Sequence, residues 1–98
     1  MARFDFYANP SGGYLLDVQA NLMSELNTRV VIPLMPRTSA PKPAGRLNPV
    51  FQIEGKAFVM GTQFLAAISR EELKEKIGSL AHRDIEIGDA LDMLFVGF

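Results

Sequence analysis

A chain of 98 residues with 48% hydrophobic content is large enough to bury somewhat over ~60% of its unfolded surface in one core without staples, so a single domain over residues 1–98 is expected. Its 10 basic and 11 acidic residues are scattered and sum to a net charge of −1; no basic stripe that would neutralise phosphates is visible, which speaks against direct nucleic-acid binding. With no cysteine there is neither a disulfide framework nor a thiolate metal site, and no apolar run is long enough for a signal peptide or a membrane span, so a cytoplasmic protein without a membrane partner is expected.

Phe4 and Phe6 face one way and Arg3 and Asp5 the other, the period-two pattern of a half-buried strand. It ends at Asn9-Pro10-Ser11-Gly12-Gly13, a cluster of turn formers, and Tyr14 to Val18 reads as the returning strand. Arg29 to Met35 is β-branched and nearly continuous, the composition of a strand covered on both faces. Pro33 cannot donate to a ladder and belongs at an edge or bulge. Pro36 to Gly45 holds prolines and small residues and reads as an exposed loop. Pro49 to Ile53 and Ala57 to Met60 flank Glu54-Gly55-Lys56, a tight hairpin turn. Phe64 to Ile68 offers one more short strand. Ser69-Arg70-Glu71-Glu72 matches a capping box, which predicts a short helix with Leu73, Ile77 and Leu80 as its apolar stripe, broken near Gly78. A second helix from about Leu80 carries Ile87, Leu91 and Leu94 to the end. Hairpin-connected strands followed by a terminal helix predict an α+β chain, mainly β, built on a small, strongly bent antiparallel sheet.

Side chains that could carry chemistry are few. The sole histidine, His82, lies two residues from Asp84, a spacing that does not bring two helical side chains face to face, so a capping or packing role is expected. Glu86, Asp89 and Asp92 recur at i, i+3, i+6 and could present oxygen ligands, but a solvated helix face explains them without a metal. Gly12, Gly13, Gly55 and Gly61 form no phosphate cradle, and no cofactor is expected. Arg29, Arg37, Lys42 and Arg46 surround the proline-rich loop, where they read as a solvated loop rather than a basic binding patch. The methionines mostly fill apolar strings; Met23 is the exception.

The terminus is unusual. Leu91 to Phe98 is an apolar run to the last residue, with Gly97 able to leave a helix at positive φ and present Phe98 outward. Chain ends are ordinarily polar and frayed, so this one calls for a cover.

Asp17-Val18-Gln19, Arg29 with Val31-Ile32-Pro33-Leu34, Leu47 with Pro49-Val50, Leu80 with His82-Arg83, and Ile87, Ala90, Leu94-Phe95 and Gly97 follow one another in an order, length and end position that together resemble the CcdB toxins of toxin–antitoxin modules. The resemblance implies an SH3-like barrel of antiparallel strands with a C-terminal helix, of the CcdB, Kid and MazF kind, and a homodimer that is not an enzyme. That dimer inserts into the gyrase A subunit and traps DNA gyrase on cleaved DNA; a CcdA-like antitoxin strips it off and does the DNA binding itself. Carried over by position, the gyrase-binding residues are Leu22 and Met23, shortly after Asp-Val-Gln, with Val96, Gly97 and Phe98. All but the glycine are apolar groups where a lone domain favours polar ones.

One position departs from the family. Its well-known members carry Trp before the final Gly, stacked on a gyrase arginine, and this chain has Val96. Losing such an anchor typically costs ~2 kcal/mol or more, although Phe98 restores aromatic area. Two alternatives follow: a divergent homologue that binds antitoxin without poisoning gyrase, and a MazF-like ribonuclease, which would need acid–base groups and a basic groove. The Pro36 to Gly45 loop, where the match is weakest, is the expected place for antitoxin specificity to differ.

Overall fold

In the computed structural model, which describes residues 1–98, the β-branched run around Val30 to Ile32 lies in the longest strand. Seven strands and one helix follow in order: β1 (Asp5–Ala8), β2 (Tyr14–Asp17), β3 (Thr28–Pro36), β4 (Val50–Ile53), β5 (Lys56–Met60), β6 (Ala66–Ser69), β7 (Lys76–Ser79) and α1 (Asp84–Phe95). The strands pair antiparallel in one curled sheet of order β4-β5-β3-β2-β1-β7, and β6 joins β3 on the side of β5. The result is a mainly β half-barrel with a C-terminal helix.

β3 is the spine. One of its edges meets β2 from Asp17↔Val31 to Tyr14↔Leu34. The other edge is shared, with Thr28 to Val31 pairing β6 and Leu34 to Pro36 pairing β5. Pro33 falls in the gap between these partners. Its carbonyl accepts from the Gly61 N–H at 2.9 Å, and because a strand residue's N and C=O point to the same edge, the nitrogen that lacks a proton faces the one place where no ladder bond is required.

The core follows period two along the strands. Leu16 and Val18, Ile32 and Leu34, Phe51 and Ile53, and Phe58 and Met60 turn to one side with Phe6, and α1 lays Ile87 and Ala90 onto them. Tyr14 packs edge-on to Phe6 and Phe58, with ring centroids 5.2 and 5.0 Å away. On the opposite face Tyr7 and Val31 are covered by Leu73, so β3 is enclosed on both sides as its composition requires. The β4–β5 hairpin closes through Glu54 and Gly55 alone, with Ile53 paired to Lys56. Both loop residues have positive φ, 52° and 78°, the primed turn whose twist matches its strands.

Three expectations are corrected. The first predicted helix is absent: Ser69 does cap, its Oγ accepting from the Glu71 N–H at 3.4 Å, but only a single 3₁₀ turn (Arg70–Glu72) follows. The chain then extends as β7 along the open edge of β1, with Gly78 opposite Phe6. A Cβ on Gly78 would stand 2.8 Å from the Phe6 ring, so the glycine read as a helix breaker is what lets an edge strand cross an aromatic ring. The last helix begins at Asp84 rather than near Leu80, since Ala81–Arg83 is a 3₁₀ turn. Asp5 is buried, not solvated; it accepts from the Ala2 N–H at 3.0 Å and pairs with Lys76 at 3.4 Å. No helix is long and apolar enough to cross a membrane.

Candidate partner-binding surface

β2 ends at Asp17 and β3 begins at Thr28, and the intervening connection carries Leu22 and Met23 on a 3₁₀ turn (Asn21–Met23) with no buried residue. Leu22 is 87% exposed, and Met23 and Leu26 beside it are about half exposed. This apolar tip is pinned from several sides. The Arg3 N–H donates to Asn21 Oδ1 at 2.8 Å and Arg70 Nη1 to the Ser24 carbonyl at 3.2 Å. Gln19 Nε2 donates to the Met23 carbonyl at 2.8 Å, and its Oε1 accepts from the Val30 N–H at 3.0 Å.

Beneath the tip lies a wholly buried ion pair. Arg29 Nε and Nη2 both donate to Asp17 Oδ2, at 2.9 and 2.5 Å, and Asp17 Oδ1 accepts from the Gln19 N–H at 3.0 Å. Arg29 Nη1 is buried without a partner. Burial pushes the Asp17 carboxyl above its usual value, against the opposing pull of the Arg29 and Gln19 hydrogen bonds. Sequence reasoning places Arg29 near the proline-rich loop and misses this pair. The Asp-Val-Gln string enters there only as a resemblance; its physical content is that Asp17 and Gln19 tie the end of β2 to β3 and to the turn.

The second apolar group is the chain end. The stripe of Ile87 and Ala90 faces the core, and by Phe95 the helix has run past it. Phe95, Val96 and Phe98 are 67%, 59% and 77% exposed. Gly97 has φ 89° and its N–H donates to the Met93 and Asp92 carbonyls at 3.2 and 3.1 Å, a left-handed cap that fixes the direction in which Phe98 leaves. The predicted residues thus form two exposed groups on separate elements, Leu22 with Met23 and Val96 to Phe98. α1 packs chiefly on the 3₁₀ turns Gly45–Leu47, Thr62–Phe64 and Ala81–Arg83.

The other candidates disperse. His82 is exposed and makes no hydrogen bond with Asp84. Arg83 lies over the Phe51 ring at 4.8 Å and pairs with Glu86 through two hydrogen bonds of 2.5 and 2.8 Å, which hold the Glu86 carboxyl below its usual value. Glu86 is thus engaged by Arg83, and no three His, Cys, Asp or Glu side chains gather to hold a metal. Arg29 leaves the basic group for the interior. Arg37, Thr38 and Lys56 instead line an open cleft of about 620 Å³ floored by Tyr14 and Phe58.

A family model described as CcdB protein matches residues 3–97. The chain belongs to the CcdB family. It is therefore a CcdB-family toxin of a toxin–antitoxin module. Among solved structures, an endoribonuclease from a Mycobacterial species is similar in fold, with a TM-score of 0.78 over 100% of this chain and 92% of that one at 15% identity. An endoribonuclease in complex with its cognate antitoxin, from a Mycobacterial species, aligns with a TM-score of 0.75, 13% identity and coverage of 100% and 96%. These neighbours correct the expectation that the CcdB-family chain is not an enzyme: the same curled sheet and helix are carried by chains named as endoribonucleases, so the fold does not set it apart from them.

Proposed function

We propose that this CcdB-family toxin acts on DNA gyrase by binding the gyrase A subunit through Leu22, Met23, Val96, Gly97 and Phe98, as a homodimer. The observation that carries the reading is the exposure of two apolar groups on firmly held backbone, at the positions the family resemblance assigns to gyrase. Apolar side chains held outward by a pinned turn and a capped helix end lose little freedom on binding, and that preorganisation favours affinity. In a two-fold dimer each group is presented twice, which suits a symmetric target. A CcdA-like antitoxin neutralises it, a reading supported by the antitoxin complex of the structural neighbour. A supercoiling and cleavage assay with host gyrase tests the proposal: linearised plasmid trapped in a toxin-dependent manner supports it, and unchanged supercoiling at saturating toxin rejects it.

The named neighbours favour a second reading, an endoribonuclease. The groups to examine for it are those facing the open cleft, Arg37, Thr38 and Lys56, and cleavage of RNA by the purified chain, lost when these are replaced, separates it from the first.

A further inference from the structure

We infer that Gln19 is a positioning residue for the apolar tip: its side-chain amide replaces the main chain where β2 ends and locks the Leu22–Met23 turn to β3. The inference rests on the reading of that tip as a partner-binding surface.

The main-chain register between β2 and β3 ends at Asp17↔Val31, and one further bond follows, from the Val18 N–H to the Val30 carbonyl at 3.0 Å. In a regular ladder the Val30 N–H would donate back to the Val18 carbonyl, but that carbonyl accepts from Arg3 Nε at 3.0 Å, which would orphan the Val30 N–H. Gln19 Oε1 takes its place as acceptor at 3.0 Å. The other half of the amide reaches four residues ahead and donates to the Met23 carbonyl at 2.8 Å. The same carbonyl closes the next bend by accepting from the Leu26 N–H at 3.2 Å. The Gln19 N–H is itself held by Asp17, whose other oxygen is held by Arg29. An unbroken sequence of hydrogen bonds thus runs from the buried ion pair to the backbone that bears Leu22 and Met23.

The geometry demands a side chain with one acceptor and one donor on the same planar group, at this length. Gln has both and Glu above neutral pH only accepts. Gln19→Met removes both halves at similar volume; Gln19→Glu, studied at pH 8, keeps the bond to Val30 and removes the one to Met23.

The test is backbone amide hydrogen exchange of the purified chain, with titration against the gyrase A dimerisation domain alongside. In both variants the Met23, Ser24 and Leu26 amides are expected to exchange about tenfold faster, the effect of one lost hydrogen bond, while those of Ile32 and Leu34 are unchanged. Affinity for the gyrase domain is expected to weaken about tenfold in step. Unchanged exchange at the turn overturns the inference, as does faster exchange with unaltered gyrase affinity. If wild-type protein shows no gyrase binding, the proposed function fails, and the exchange rates still decide whether Gln19 holds the turn. If Gln19→Met does not fold, Gln19→Glu alone decides the question by the same two readings.

Discussion

Asp17 and Arg29 bury both their charges completely, 2.5 Å apart, directly under the connection that carries the exposed Leu22 and Met23. The end of one strand and the start of the next, separated in sequence by that whole connection, are joined there by the only ion pair in the interior.

Removing one partner of such a pair leaves the other uncompensated, and Arg29→Met is expected to cost about 3–5 kcal/mol at neutral pH by thermal or denaturant unfolding. The cost has a pH signature. The Asp17 carboxyl is raised above its usual 3.8 by burial and restrained by Arg29, so its contribution is fully present below the unfolded value and is lost as pH rises through the folded one. Without Arg29 the folded value climbs further and the loss continues to higher pH. The stability gap between wild type and variant should therefore be small in acid and widen as pH rises past the wild-type folded value. A gap independent of pH contradicts the assignment. The double variant Asp17→Asn, Arg29→Met should flatten the dependence.

Two adjacent glycines in the β1–β2 turn separate conformation from space. Both have positive φ, but a Cβ on Gly12 meets nothing within 4 Å whereas one on Gly13 would stand 2.2 Å from the Leu34 carbonyl oxygen of β3. Gly12→Ala is expected to cost about 1 kcal/mol from backbone strain alone. Gly13→Ala should cost upwards of ~3 kcal/mol because the strand must move. Equal unfolding midpoints for the two variants would show that the turn yields freely.

Tyr7 lies buried between Leu73 and Val31, and burial, with the nearby Asp5 and Asp17 charges, raises its phenol above the usual 10.0. A raised folded value means stability held below pH 10 and lost as pH rises through the folded value. Spectroscopic titration of phenolate absorbance should show Tyr7 ionising only above its usual value, and Tyr7→Phe should diminish the alkaline loss of stability.

At the chain end, Val96→Trp is expected to tighten gyrase binding on the order of thirtyfold by adding a large aromatic at an exposed, capped position. An unchanged dissociation constant would show that residue 96 does not touch gyrase.

Local features of the fold are legible in the sequence and distant pairings are not. The Glu54-Gly55 hairpin and the Ile87 stripe of α1 can be read because each is set by residues a few positions apart. The Ser69 cap is signalled correctly and its consequence is not, since the segment after it is captured by the free edge of β1, far away in sequence. The Asp17–Arg29 pair is invisible for a like reason: it depends on the β2–β3 register that sets Asp17 against Val31, and an isolated arginine beside a loop reads as solvated. Of the candidate surface, the apolar terminus is legible because nothing local explains it and Met23 stands apart from the apolar strings, whereas Leu22 and the pairing of turn with terminus come only through the family resemblance. Their supports, Gln19 and the left-handed cap at Gly97, divide in the same way: the cap is a one-residue signal, whereas the Gln19 bridge to Val30 spans the whole connection.

Contact with gyrase through the exposed turn and helix end is the point on which the proposed function of this CcdB-family toxin stands. Calorimetric titration of the folded protein, and of the same chain lacking Val96 to Phe98, into the dimerisation domain of the host gyrase A subunit decides it. Saturable binding at one toxin dimer per domain dimer is expected, abolished by the truncation while the fold is retained. Absence of binding by the intact folded protein, or equal binding by the truncated one, would overturn that reading.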